Sequence, residues 1–212
     1  VMREVSSVPY SGEPNRTVFV VDDDAIVRRA LQANLGLAGF DVVQFASARQ
    51  FLEHSCPSQS GCALVDMRMP EMDGLELQEE LAAKCPFMSV IIITGHADVP
   101  LAVRAVKSGA LDVLEKPFGN EKLLAQVSAA LAISAAKVST AQRKSDLERK
   151  LRKLSNRERD VMNLVVEGRS NREIAAALDL SPRTVDIHRA RVMKKLEAES
   201  VVELVRMILT EP

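Results

Sequence analysis

Four short runs of apolar and β-branched residues constrain this chain more than any other feature: Thr17-Val18-Phe19-Val20-Val21, Cys62-Ala63-Leu64-Val65, Val90-Ile91-Ile92-Ile93 and Leu111-Asp112-Val113-Leu114. Runs without polar alternation belong to strands covered on both faces, which is the situation in a parallel sheet. Each run ends at, or just before, a residue able to handle phosphate or a cation: Asp22-Asp23-Asp24, Asp66, Thr94 and Lys116-Pro117. In an open α/β sheet the carboxyl ends of the strands converge on one crevice, and ligands bind there.

Between the runs the period changes to that of a helix. Val27, Leu31, Leu35 and Ala38 share one face, and Gly39 is placed as a C-terminal cap. A second strand is expected at Asp41–Phe45, and a short helix over Ser47–His54 with Ser47 as N-cap. Further helices are expected at about 74–84, at about 99–108 before Gly109, and at about 119–133. The alternation gives an α/β fold, a five-stranded parallel doubly wound sheet over residues 17–133. Residues 1–16 read as a flexible tail.

Residues 134–153 read as a helical linker, poor in Gly and Pro, with Leu147, Leu151 and Leu154 forming one stripe suited to packing on a neighbouring domain. Residues 154–212 carry no strand signal and form a small all-α domain. Ser155 with Glu158 makes a capping box for a helix over 156–167 ended by Gly168. Ser170 opens a short helix to Leu178, Ser181 and Pro182 start another that runs to Leu196, and a last helix covers about 200–210. Two helices around a tight turn, the second rich in Arg and Lys, match a helix-turn-helix.

Charge divides the same way. Residues 1–133 carry 11 Lys/Arg against 17 Asp/Glu, whereas 134–212 carry 17 against 12. An acidic module that recruits cations thus precedes a basic one that recruits polyanions. Cys56, Cys62 and Cys85 are odd in number and form no C-x-x-C pair, which argues against a disulfide framework or structural zinc and fits a reducing compartment. No uninterrupted apolar stretch approaches the roughly 20 residues of a membrane span, and the N-terminus lacks a signal-peptide pattern, so a cytoplasmic protein with no membrane partner is expected.

Carboxylates gathered at adjacent strand ends repel one another, and a hard divalent cation relieves this. Mg²⁺ suits oxygen ligands and keeps waters to complete its shell. A carboxylate can also attack phosphorus, a cation and a metal then neutralise the phosphoryl oxygens, and a hydroxyl adds a hydrogen bond. Asp66, Lys116 and Thr94 have these chemistries. Asp24, by contrast, is placed to cap the following helix.

These residues make 17–133 resemble the receiver domain of two-component response regulators, through Val20-Val21-Asp22-Asp23-Asp24, Leu64-Val65-Asp66-Met67-Arg68-Met69-Pro70-Glu71-Met72-Asp73-Gly74, Ile93-Thr94-Gly95-His96 and Glu115-Lys116-Pro117-Phe118. The resemblance implies a flavodoxin-like 2-1-3-4-5 strand order and Asp66 as phosphoacceptor from a sensor histidine kinase. It implies Mg²⁺ held by Asp22, Asp23, Asp66 and the Arg68 backbone carbonyl, Thr94 as switch hydroxyl, and Lys116 as phosphate contact before a cis proline. One departure stands out: the family's aromatic switch position is Val113 here. Residues 155–210 are similar to LuxR-type DNA-binding domains, through Leu154-Ser155-Asn156-Arg157-Glu158, Ser170-Asn171-Arg172-Glu173-Ile174-Ala175 and Ser181-Pro182-Arg183-Thr184-Val185-Asp186-Ile187-His188. Together the pieces resemble the NarL/FixJ class, nearest its FixJ branch. That implies a phosphorylation-activated transcriptional regulator that dimerises through the 99–115 face and binds promoter DNA through 181–196, with RNA polymerase as a further partner. Arg183, Thr184, Ile187, His188, Arg191, Lys194 and Lys195 are the candidate DNA contacts, with His188 fitting either a phosphate contact or packing between helices.

Two other classes compete. The D-x-D of Asp22 and Asp24 resembles the nucleophile motif of haloacid-dehalogenase phosphatases, but a late acidic pair and a substrate cap are missing. A small-molecule-sensing LuxR-type regulator would need an aromatic-rich input pocket, against six Phe, one Tyr and no Trp.

Overall fold

A computed structural model describes residues 15–55, 57–97 and 99–209. Most of the expected N-terminal tail, and Cys56, lie outside the described residues. The chain divides into two compact units, Val1–Ser139 and Thr140–Pro212.

The first unit alternates β1 (Thr17–Val21), α1 (Ala25–Leu37), β2 (Asp41–Phe45), α2 (Ala48–His54), β3 (Gly61–Asp66), α3 (Gly74–Lys84), β4 (Met88–Thr94), α4 (Val99–Lys107) and β5 (Asp112–Glu115) before α5 (Asn120–Arg152). The strands are all parallel, in the order β2-β1-β3-β4-β5. All of β3 and β4 is buried, which is why their sequences read as unbroken apolar runs. Alternate residues feed two cores: Phe19, Val21, Val65, Val90 and Ile92 pack beside α2, α3 and α4, while Val20, Leu64, Ile91, Ile93 and Leu114 pack beside α1 and α5. Asp24 and Ser47 cap their helices as expected, and Asp73 with Glu76 completes a capping box that opens α3. Gly74, the first residue of α3, lies so close to the end of β3 that a Cβ there would meet the Asp66 carbonyl at 2.6 Å.

Three sequence expectations change. Asn15 and Arg16, assigned to the tail, are held in place: the Asn15 amide donates to the Ser60 carbonyl (2.8 Å), and the Arg16 guanidinium lies 5.0 Å from the centre of the Phe40 ring. The helix expected at 119–133 and the helical linker expected at 134–153 form one continuous 33-residue helix. Ser134, where the linker was placed, is 1% exposed; its hydroxyl accepts from the Gly61 amide (2.8 Å) and donates to the Phe87 carbonyl (2.7 Å), so it joins α5 to the amino ends of β3 and β4. Finally, α5 contains an 18-residue window of mean hydropathy 1.4, long and apolar enough by those measures to cross a membrane. Its Leu123, Val127, Ala130 and Leu131 are committed to the core against the sheet.

The second unit holds α6 (Asn156–Val166), α7 (Asn171–Leu178), α8 (Pro182–Leu196) and α9 (Val201–Leu209) with the last turns of α5. Ser155, Ser170 and Ser181 are the N-caps, and Pro182 stands in the first turn of α8. Leu147 and Leu154 are buried, and Leu154 joins Val161, Val165, Ile174, Val185, Val192 and Leu196 in one core.

Candidate functional site

At the carboxyl ends of β1 and β3, Asp22 and Asp66 are both buried and share one cation. The Lys116 ammonium donates to Asp66 Oδ1 (2.7 Å) and Asp22 Oδ2 (3.1 Å). Lys116 reaches them because its amide continues the sheet, donating to the Thr94 carbonyl (2.7 Å). Asp22 Oδ1 accepts from the Asp24 amide (2.8 Å), and Asp66 Oδ2 from the Arg68 amide (2.7 Å), so main-chain donors fix both carboxylates. Burial pushes the Asp22 carboxyl above its ordinary value, against the lowering effect of the Asp24 amide and Lys116. For Lys116, burial works to lower the value, but its bonds to Asp66 and Asp22 and their charges outweigh it, and the net direction is up.

Asp23 is exposed beside this pair. Among the described residues no three acidic, His or Cys side chains close into a dedicated metal cage. The donor set nonetheless fits Mg²⁺, which favours one or two carboxylates with the rest of its shell left to water and phosphate oxygens.

Thr94 is buried at the end of β4, and its hydroxyl is turned onto its own loop. It donates to the His96 carbonyl (3.0 Å) and accepts from the His96 amide (3.3 Å). One residue on, the Ala97 amide donates to Glu115 Oε1 (3.1 Å), which ties this loop to β5. A cavity of about 490 Å³ between Met67, Arg68, Thr94, His96, Leu101 and Arg104 opens beside Asp66. Lys116–Pro117 is a cis peptide. The crevice therefore gathers Asp22, Asp66, Thr94 and Lys116, with Asp23 and Arg68 at its edge. Sequence reading missed the contacts of Glu115 and of Arg28, whose Nη1 donates to the Asp22 and Asp23 carbonyls, because each bonds to a main-chain partner that no side-chain pattern announces.

In the second unit, α8 presents Arg183, Ile187, Arg191 and Lys194 as exposed residues, with Thr184 and His188 half-buried. Ile187 is 46% exposed, an apolar side chain on a basic helix. The Thr184 and Ser181 hydroxyls share a hydrogen bond (2.8 Å) in the helix cap. His188 Nδ1 is buried without a hydrogen-bond partner among the described residues. Asn171 at the start of α7 donates to Asp186 and accepts from Arg189, which fixes α7 against α8. Lys195 is engaged within the protein. Its ammonium donates to the buried Glu158 carboxylate (2.6 Å) and to the Lys153 carbonyl (2.9 Å), and the bond from Lys195 is the main influence holding Glu158 below the ordinary carboxylate range.

A doubly wound sheet with a carboxylate–lysine crevice, followed by a helix-turn-helix, defines a phosphoacceptor module with a DNA-binding output. Comparison with known proteins agrees on both halves. Residues 18–128 match the response regulator receiver domain, and residues 152–208 match the luxR family of bacterial regulatory proteins. The transcriptional regulatory protein FixJ of Azorhizobium caulinodans is 46% identical over 192 residues, covering 91% of each chain. The response regulator protein TodT of Pseudomonas putida is 40% identical over 190 residues, covering 90% of this chain and 84% of that one. The solved structure of the response regulator StyR aligns with a TM-score of 0.82 at 41% identity, covering 92% of this chain and 98% of that one.

The chain belongs to the response regulators that join a receiver domain to a LuxR-type DNA-binding domain. It is a phosphorylation-activated transcriptional regulator of a two-component system and not an enzyme, and its partner classes are a histidine kinase and DNA. The phosphatase and small-molecule-sensor readings are not favoured. Receiver domains use Mg²⁺ for phosphorylation.

Proposed function

We propose that Asp66 is the phosphoacceptor, in a cytoplasmic protein whose phosphorylation drives dimerisation and promoter binding. The observation that carries this is the Lys116 ammonium held between Asp66 and Asp22. A carboxylate oxygen of Asp66 attacks the phosphorus of the kinase phosphohistidine; the new O–P bond forms as the P–N bond breaks, and the imidazole leaves. Lys116 is placed to follow the charge from carboxylate to phosphoryl oxygen. Asp22, Asp23, Asp66 and the Arg68 carbonyl would hold Mg²⁺, which supplies further neutralisation of the phosphoryl charge.

The new group brings about −1.5 to −2 charge and strong acceptors. Thr94 can meet it only by releasing the His96 carbonyl, which moves the loop leading into α4. Val113 is half-buried against the core and has no ring to swing. The route from loop to β5 is instead the Ala97–Glu115 hydrogen bond. The face that responds carries Val99, Val103 and Val106, exposed on successive turns of α4, and Leu111 just before β5. Burying that apolar area between two copies joins two α8 helices for two DNA half-sites. Arg183, Arg191 and Lys194 supply phosphate contacts, with Thr184 and His188 at the margin, Ile187 reads base edges, and RNA polymerase is the downstream partner. Lys195 is set apart from the phosphate contacts by its bond to Glu158.

The test uses the full chain with Mg²⁺ and a small phosphodonor. One acid-stable, base-labile phosphoryl group should appear, sedimentation should shift from monomer to dimer, and DNA binding should tighten. Unchanged labelling of Asp66→Asn would overturn the assignment of the acceptor.

A further inference from the structure

Arg28 projects from the second turn of α1 toward the acidic loop but pairs with none of its carboxylates. Its Nη1 donates instead to two successive main-chain carbonyls, of Asp22 (2.6 Å) and Asp23 (3.0 Å). A partly buried guanidinium whose described bonds are to carbonyl oxygens is unusual, since an arginine beside aspartates ordinarily takes the charged partner.

The consequence lies in what else holds this loop. The Asp22 amide donates to the Phe45 carbonyl (3.3 Å), and the Asp22 side chain is fixed by the Asp24 amide and Lys116. The Asp23 side chain is exposed, so its direction follows from the backbone on either side of it. Both peptide planes that set that backbone end in the carbonyls bound by Arg28. We propose that Arg28 is a positioning residue for the metal-binding acids: by gripping both carbonyls it fixes the backbone from which the Asp23 carboxylate projects. This rests on the reading of Asp22 and Asp23 as metal ligands.

Charge and position predict opposite signs, which makes the inference testable. A fixed positive charge near a divalent cation repels it, so through space alone Arg28→Ala would tighten metal binding. If Arg28 orients Asp23, the same substitution weakens binding, by roughly tenfold for a partner that holds a ligand from behind. Arg28→Lys keeps the charge but carries it on a shorter stem, so its Nζ falls short of the place where Nη1 bridges the two carbonyls. Coulomb interaction then predicts no change, whereas positioning predicts an intermediate loss.

The experiment titrates the full chain with Mn²⁺, reading free metal by electron paramagnetic resonance, with Mg²⁺ as competitor and Asp23→Asn as control. The expected order of affinity is wild type, then Arg28→Lys, then Arg28→Ala. In phosphorylation by a small phosphodonor, the half-saturating Mg²⁺ concentration should rise while the rate at saturating Mg²⁺ recovers. A loss of fold stability alone would not produce that split. Tighter binding in Arg28→Ala, or wild-type affinity in both Arg28 variants while Asp23→Asn binds weakly, overturns the role of Arg28. Wild-type affinity in Asp23→Asn overturns the metal-site reading itself, and the inference falls with it.

Discussion

Replacing Lys195 by Met removes one cation from α8 while keeping most of its length, and it separates two roles for that residue. In the structure the Lys195 ammonium lies 2.6 Å from Glu158, whose side chain is 5% exposed, whereas the Lys195 side chain is 37% exposed. Removing one partner of a fully buried ion pair costs about 3–5 kcal/mol, because the other charge is left uncompensated. Here water reaches the lysine side, and the Ser155 amide still donates to Glu158 (2.8 Å). A discounted cost of about 2 kcal/mol follows. Hydrogen exchange of the α6 and α8 amides in the full chain reads this directly, and their most protected positions should exchange about 30-fold faster. DNA binding supplies the second measurement. A lysine on phosphate contributes about 0.9 to the slope of log affinity against log salt. With Lys195 committed to Glu158, the slope in Lys195→Met should stay within about 0.3 of wild type. A slope lower by the full phosphate increment, with α6 and α8 exchange unchanged, would refute the internal role and return Lys195 to the DNA contacts.

Three further outcomes are expected. Ser134→Ala leaves the Gly61 amide and Phe87 carbonyl without their buried partner, so the first unit should lose about 2 kcal/mol in denaturant unfolding; a loss below about 0.5 kcal/mol would mean that water replaces the hydroxyl. Ile187→Ala should flatten discrimination between cognate and scrambled DNA while leaving the salt slope alone, and Lys194→Ala should do the reverse; equal selectivity after Ile187→Ala removes it from base readout. Because Glu158 is held below the ordinary carboxylate value of 4.5 in the folded state, its stabilisation is present above that value and is lost as pH falls through the lowered one; Glu158→Gln should flatten that part of the acid unfolding profile of the second unit, and an unaltered profile would count against it.

Much of the first unit was legible because its chemistry sits at strand ends. A parallel strand covered on both faces must be apolar, so the first polar residue after the apolar run marks where the chain leaves the sheet, and Asp22, Asp66 and Thr94 are legible that way; β5 is an edge strand with Asp112 and Glu115 exposed, and Lys116 is legible only from its motif. Serine caps were equally readable, since a hydroxyl before a helix has a local partner three residues on. Contacts between residues distant in sequence were not. The Lys195–Glu158 pair spans 37 positions and the Ser134–Gly61 bond 73, and in sequence each residue resembles solvated surface. The packing of Ser134 against the sheet was hidden for a related reason: Ser and Ala lower the apolar signal of α5, although small residues at a close helix–sheet contact pack as well as large ones. Arg28 looked like one more charge on α1, because main-chain carbonyls leave no mark in a sequence.

The tight approach of α3 to β3 carries a genetic consequence. Gly74 has no reactive group, yet any other residue would thrust a Cβ to 2.6 Å from the Asp66 carbonyl and 3.0 Å from Met67 Cα. The backbone must then shift at the proposed acceptor itself. A screen for variants unable to signal should therefore return codon 74 beside codons 66 and 116, including changes as mild as alanine. Ranked by lost phosphorylation alone, such alleles would pass for lesions in the chemistry, although every side chain that performs it is intact.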